Sequence, residues 1–241
     1  GAFHSGEAIA GTLGVTRSAV WYGIRDISAA GFEVEKVRGR GYRLSRGLSL
    51  LDAGIVAGLL GPESGKFVLE VLDSVDSTNT RLMLRAAGDA PSGLVLAAEA
   101  QTAGRGRRGR AWQSAIGSTL TFSLLWRFAQ GARELAGLSL AVGLALARAL
   151  RACGASGVAL KWPNDVLLPV GKLAGILIET QGDVLGPSAA VIGIGVNVCA
   201  DPRVAAAVDQ PMADLESATG ETVDRNRLLA RILEELARVL E

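Results

Sequence analysis

Histidine is almost missing from this 241-residue chain, with His4 the single example. That excludes a Ser-His-Asp triad, a histidine general base or a histidine-rich metal site from the body of the protein. Cysteine is scarce too: Cys153 and Cys199 cannot build a disulfide framework. No uninterrupted apolar run reaches membrane-spanning length, and no basic-then-apolar leader opens the chain. The expectation is a cytoplasmic protein with no membrane partner and no metal ligands. Its chemistry must be carried by lysine, arginine, backbone N–H groups and orientation.

What is present is a globular composition, 49% hydrophobic and 20% charged, with length enough for one small and one larger domain. The near-neutral total hides an uneven distribution. Residues 1–46 carry seven Lys/Arg against four Asp/Glu, residues 104–110 carry four more arginines, and the remainder is net acidic. The positive charge therefore sits in two places, each a candidate site for phosphate.

Residues 1–46 read as a small DNA-binding unit. Ser5 can cap a helix over 6–12 with Ala8, Ile9 and Leu13 facing inward. After a Leu13-Gly14-Val15 turn, Thr16 can cap a second helix to about Ala30, with Val20, Ile24 and Ile27 as its apolar stripe and Gly31 ending it. Alternation over 32–37, a basic Arg38-Gly39-Arg40-Gly41 turn and further alternation over 42–44 make a hairpin. Together these read as a winged helix-turn-helix whose first helix is missing. Arg17, Ser18, Trp21 and Tyr22 are placed for a DNA groove, and Arg38 and Arg40 for backbone phosphate. The competing reading is a small capping subdomain with a solvated basic hairpin.

Residues 48–241 read as one larger α+β domain, helices packed on a mostly antiparallel or mixed sheet. Helices are expected over 48–60, 77–86, 135–153 and 223–240. Strands are expected over 67–72, 93–98, 119–126, 158–162, 173–180 and 189–198.

Within it, Gly104-Arg105-Gly106-Arg107-Arg108-Gly109-Arg110 sets four arginines among three glycines. Glycine allows close backbone approach, and guanidinium forks suit phosphate or carboxylate. The stretch matches a dinucleotide G-x-G-x-x-G by letter. A strand rather than a helix follows it, however, with no βαβ unit, so that reading is rejected. Lys161-Trp162-Pro163-Asn164-Asp165 places a turn at a strand end, read either as a site or as an Asx-turn. Lys172 opens a strand between Gly171 and Gly175 and reads as solvated or as a phosphate contact. Ser77-Thr78-Asn79 fits a helix cap and also an anion-binding helix start. The alternate glycines Gly193 and Gly195 fit a tightly packed strand, or one against which a ligand or partner subunit lies.

Taken in order, Ser77-Thr78-Asn79, then Gln101 with Gly104 to Gly109 and Trp112, then Lys161 to Asp165, then Gly171 to Leu177, then Gly193 to Asn197 resemble the biotin–protein ligases. The N-terminal helix-turn-helix resembles that of their bifunctional class, which also represses the biotin operon. The resemblance covers nearly the whole chain. It implies activation of biotin with ATP and Mg²⁺ to biotinyl-5′-AMP, followed by transfer to a lysine of the biotin carboxyl carrier protein. It assigns Ser77, Thr78, Asn79, Gln101, Gly104, Arg105, Gly106, Arg107, Trp112, Asn164, Asp165 and Lys172 to biotin or its adenylate. Lys172, Arg105 and Arg107 are the catalytic set, Asn164 and Asp165 help position ATP and Mg²⁺, and Trp112 lies near adenine. It further implies operator DNA as partner and a ligand-linked homodimer, with 189–198 as the dimer edge. Two departures accompany it: the family's C-terminal SH3-like barrel is expected to be absent, and Met212 stands where the repressor-type enzymes carry a tryptophan. A DNA-binding regulator that senses the adenylate with impaired transfer is the alternative reading; a lipoate ligase is a weaker one, because those enzymes lack this Arg/Gly loop.

Overall fold

The computed structural model describes residues 2–29, 32–45, 47–129, 131–182 and 187–241. The chain divides into two compact units, residues 1–48 and 49–241.

In the N-terminal unit, α1 (Gly6–Leu13) is capped by Ser5, whose Oγ accepts from Ala8 N at 3.0 Å, and Gly14 closes its C-terminus. Helix α2 (Arg17–Ala29) starts at Thr16, whose Oγ1 accepts from Ala19 N at 3.2 Å. The expected end at Ala30 and Gly31 lies outside the described residues. Strands β1 (Val34–Val37) and β2 (Gly41–Leu44) pair antiparallel around the 38–40 turn. His4 exchanges two backbone hydrogen bonds with Tyr42, at 2.9 and 2.8 Å, so the entering chain is tied to the hairpin.

The inward face of α1 differs from expectation. Ala10 is buried and Ile9 half-buried, while Ala8 and Leu13 are exposed. Ala10 is the buried residue of α1, and Val20 is the buried residue of α2. Ile27 lies outside the contact, exposed.

The larger unit is a seven-stranded sheet in the order β3-β4-β5-β9-β8-β7-β6. Its strands are β3 (Val68–Val75), β4 (Leu94–Gln101), β5 (Thr119–Phe128), β6 (Ala159–Lys161), β7 (Asp165–Leu168), β8 (Gly171–Gly182) and β9 (Ser188–Asn197). Strands β3 and β4 are parallel and the other pairs antiparallel, which makes the sheet mixed. Helix α4 (Thr78–Ala86) connects the parallel pair. That is a βαβ unit the sequence reading did not anticipate; the Arg/Gly loop comes after it and leads into antiparallel β5. The single strand expected over 158–162 is the start of a tight hairpin, because Pro163 cannot donate to a ladder.

One face of the sheet is covered by α3 (Ala53–Leu60), α5 (Leu138–Ala152) and the C-terminal helix α6 (Arg225–Leu240), which enclose the main core that includes Phe122, Ile192 and Leu173. Each fully buried Leu, Ile or Phe contributes about 1.5–3 kcal/mol. Residues 135–152 form a stretch long and apolar enough to cross a membrane by length and composition. Its helix, α5, buries Val142, Ala145, Leu146, Ala149 and Leu150 in this core. The other face carries α4, where Leu82 and Ala86 pack on Leu94, Leu96, Leu125 and Val191.

Two expectations fail here. The helix expected from Leu48 begins only at Ala53, because Asp52 caps it (Ile55 N to Oδ1, 2.8 Å) and residues 49–51 run extended to other partners. Arg225 Nη2 reaches Ser49 O at 2.6 Å, Leu51 N donates to Glu99 Oε1, and Arg225 pairs with Glu99 at 2.7 Å, both almost fully buried. The segment 189–198, expected as a dimer edge, is a central strand. Its pairing edges are taken by β5 and β8, and all of β9 is buried; the edges of the sheet are β3 and β6.

Candidate active site

The α4 face of the sheet is where the sequence leaves room. Register aligns Thr121 with Gly195 and Gly175, and Ser123 with Gly193 and Leu177, across β5, β9 and β8. Small residues therefore meet on one face and form a floor. Above it lies a cavity of about 430 Å³.

The floor glycines are needed by the protein's own side chains. A Cβ on Gly195 would stand 2.3 Å from the indole of Trp112, and one on Gly193 would stand 2.1 Å from Asn79 Oδ1. Within the chain, Trp112 and Asn79 are their close neighbours.

Helix α4 brings in the first wall. Ser77 caps it, its Oγ accepting from Thr80 N at 3.4 Å. Thr78 donates both N–H and hydroxyl to Gln101 Oε1, at 2.8 and 3.1 Å. Ser123 Oγ lies 2.6 Å from Asn79 Oδ1 and 2.7 Å from Thr78 Oγ1. The cap is thus tied to β4 and β5 by neutral hydrogen bonds.

The Arg/Gly loop supplies the second wall. Its arms are clipped by Trp112 N to Gly104 O at 2.9 Å and by Gly106 N to Arg110 O at 2.7 Å. Gly104 does not line the cavity; a Cβ there would stand 2.3 Å from Trp112 O, so it allows the arms to cross. Arg105 Nη2 lies 2.6 Å from Glu179 Oε1 and its Nη1 3.2 Å from Thr80 Oγ1. Arg107 Nη1 donates to Asn164 Oδ1 at 3.1 Å.

The β6–β7 turn and the start of β8 close the third side. Asn164 is locked to β8 by Ile176 N to its carbonyl (2.9 Å) and by Nδ2 to Ile176 O (3.2 Å). Asp165 Oδ1 lies 2.8 Å from Lys172 Nζ, both mostly buried. Lys172 Nζ is also 5.8 Å from the centre of the Trp112 ring. Asn197 donates to the carbonyls of Lys172 and Ala213, at 3.0 and 3.1 Å, so the chain around Met212 is held against the mouth of the cavity. Among the described residues no group of three His, Cys, Asp or Glu could hold a metal ion.

Ser77, Thr78, Asn79, Gln101, Arg105, Gly106, Arg107, Trp112, Asn164, Asp165 and Lys172 thus line one cavity. Sequence reasoning missed Ser123, Glu179, Thr80 and the hydrogen bonds by which Asn197 holds the backbone at Lys172 and Ala213. A lone serine in an apolar strand and a lone acid in Gly175-Ile176-Leu177-Ile178-Glu179 were the available signals.

The family model for the biotin/lipoate A/B protein ligase family matches residues 71–197. The chain belongs to this family. A helix-turn-helix domain model matches residues 1–43. The bifunctional ligase/repressor BirA of Escherichia coli is 42% identical over 241 residues, covering 100% of this chain and 73% of that protein. Among solved structures, the biotin protein ligase from Aquifex aeolicus in complex with biotin and ATP aligns at 31% identity and TM-score 0.58, over 71% of this chain and 69% of that one. The biotin protein ligase from Leishmania major in complex with biotinyl-5-AMP aligns at 26% identity and TM-score 0.59, over 71% and 74%. Against the family fold, the cavity lies between the α4 cap, the Arg/Gly loop and the Lys172 strand.

The DNA-contact candidates fall on the N-terminal unit. Arg17, Ser18, Trp21 and Tyr22 are exposed on α2, with the two rings edge-on at 5.0 Å and Arg25 over both. Arg38 and Arg40 are exposed in the β1–β2 turn, and Arg40 stacks 4.3 Å from the ring of Phe3.

Proposed function

We propose that the larger unit is a biotin–protein ligase and that the N-terminal unit represses biotin-synthesis genes by binding operator DNA. The carrying observation is that Lys172 and Arg107 share one cavity with the α4 cap over a glycine floor. A biotin carboxylate is already a nucleophile, so the task is placement and charge neutralisation, which needs no histidine.

In the first step a carboxylate oxygen of biotin attacks the α-phosphorus of ATP. The bond to the bridging oxygen breaks and pyrophosphate leaves, giving biotinyl-5′-AMP. Lys172 stands where it offers a compact charge to both carboxylate and phosphate, and an incoming anion competes with Asp165 for it. Arg107 adds a guanidinium from the loop. Asn164 and Asp165 orient the nucleotide, and Mg²⁺ enters with ATP as part of the substrate. Ser77, Thr78, Asn79 and Gln101 hold biotin; Gly104, Gly106 and Trp112 shape the loop above it, with Trp112 next to the nucleotide.

In the second step the neutral amine of an acceptor lysine attacks the acyl carbon, AMP departs and the amine loses a proton. The acceptor is the biotin carboxyl carrier protein of acetyl-CoA carboxylase, in the cytoplasm. Arg17, Ser18, Trp21 and Tyr22 read operator DNA, with Arg38 and Arg40 on phosphate, in a ligand-linked homodimer.

Incubation with biotin, ATP and an acceptor domain tests the reading. Pyrophosphate release and a biotinylated lysine are expected. Adenylate without transfer supports the sensing regulator instead, and use of lipoate in place of biotin overturns both.

A further inference from the structure

Glu179 belongs to none of the recognised motifs, yet it joins three of the elements that build the cavity. Its Oε1 takes Arg105 Nη2 at 2.6 Å and its Oε2 takes Asn79 Nδ2 at 3.0 Å. One carboxylate on β8 therefore ties the Arg/Gly loop to the start of α4. Each partner is held a second time, Arg105 by Thr80 Oγ1 and Asn79 by Leu177 O at 3.2 Å. Arg105 and Asn79 line the cavity; Glu179 and Thr80 do not.

That placement separates the two loop arginines. A guanidinium matched to a carboxylate lying behind it presents little net field to an anion in front. Arg107 meets a neutral amide oxygen instead and keeps its charge. Lys172 differs from Arg105 as well. Its partner Asp165 lines the same cavity, so a ligand can compete for the lysine, whereas Glu179 does not line the cavity.

We propose that Glu179 is a positioning residue that pins Arg105 and Asn79, so that Arg105 holds the loop over the cavity and Arg107 is the guanidinium left for the phosphate. This refines the adenylate-forming reading and rests on it. The catalytic place expected for Arg105 passes to the Arg105–Glu179 pair as a structural latch, and Glu179 acts only through its partners.

Hydrogen exchange of the loop amides in the ligand-free protein tests the pin without activity. Arg105→Ala, Glu179→Ala and the double variant should each speed exchange at Gly106 and Trp112 to one shared level, about fivefold above wild type for a half-exposed pair. Glu179→Gln, whose amide oxygen still accepts, should fall between, and Arg107→Ala should leave these amides unchanged. In adenylate formation, Glu179→Ala, which also releases Asn79, should raise KM for biotin at least as much as Arg105→Ala, and the double variant should be no worse than Glu179→Ala alone. Arg107→Ala should instead lower kcat. Losses that multiply in the double variant, or loop amides unmoved by Glu179→Ala, overturn the proposal. A wild-type protein that exchanges as described but makes no adenylate sinks the ligase reading and leaves the pin standing.

Discussion

The N-terminal unit covers Ala10 and Val20 and leaves Leu13, Trp21 and Tyr22 in solvent, whereas the larger unit seals Phe122, Leu146, Ile192 and Leu233 completely. One presents its candidate DNA-contact residues on the outside of a thin core; the other sinks its candidate site residues in a cavity with glycines in its floor. In the first, those candidate side chains carry little of the stability. In the second, the residues that shape the site are also packing residues, so stability and activity are coupled there.

The largest expected break in that comparison lies at Arg225. Its guanidinium is buried against Glu99 and donates to Thr119 O and Ser49 O. Arg225→Ala strands a buried carboxylate and should destabilise the larger unit by about 3–5 kcal/mol. Urea unfolding followed by separate probes in the two units reads this directly. A matching shift in the N-terminal transition would mean that the units are not energetically distinct. Next in size, Lys172→Ala should cost adenylation about 10²–10³-fold in kcat, comparable to losing one preorganised donor, and should lower the urea midpoint by less than Arg225→Ala does, because it leaves the partly buried Asp165 unpaired. Unchanged pyrophosphate release would remove Lys172 from the chemistry. Gly195→Ala drives a methyl into the indole of Trp112. It should cost about 1–3 kcal/mol of stability by overpacking and also weaken biotin binding, the coupling absent from the N-terminal unit.

Legibility from sequence follows the same division. The cavity's parts were readable because each carries a local chemical signature: a Ser-Thr-Asn cap, an Arg/Gly loop, a Pro-Asn-Asp turn, a lysine between glycines. What tied them together was not. Glu179 reaches Arg105 across 74 positions and Ser123 reaches Asn79 across 44, and no periodicity encodes such pairs. An apolar run located β9 but gave no strand order, so the dimer edge implied by the family resemblance fell on a strand that is central in the sheet. On the thin N-terminal unit, helix periodicity over-assigned burial at Ala8 and Leu13, because two short helices cover only one narrow stripe of each other. The extended strap over 49–51 was read as helix for a related reason: its partners Glu99 and Arg225 are remote in sequence.

A pH effect should separate the units as well. In the larger one, the Arg203 guanidinium, aided by Ser118 Oγ, holds the Asp201 carboxyl down to about 2 from an ordinary 3.8. A depressed carboxyl releases its proton on folding. Its stabilisation is therefore fully present above about pH 4 and disappears as pH falls through about 2. Asp201→Asn should narrow the gap to wild type across that window in acid-unfolding curves of the larger unit. A gap that stays constant from neutral pH down to pH 2 would mean that the Arg203 pair contributes nothing to folding.

The smallest stability effects belong to the wing, where binding should change most. Arg38 and Arg40 are exposed in the β1–β2 turn. Removing either should lower the magnitude of the slope of log K against log salt for operator DNA by about one, since each neutralised phosphate releases about one counterion. Their effects on folding differ. Arg40 lies 4.3 Å over Phe3, so Arg40→Ala should also lose about 0.5–1 kcal/mol of N-terminal stability. Arg38→Ala, free of that ring, should shift the salt slope alone. A salt slope unmoved by either substitution would take the wing off the phosphate backbone and leave α2 to account for DNA binding.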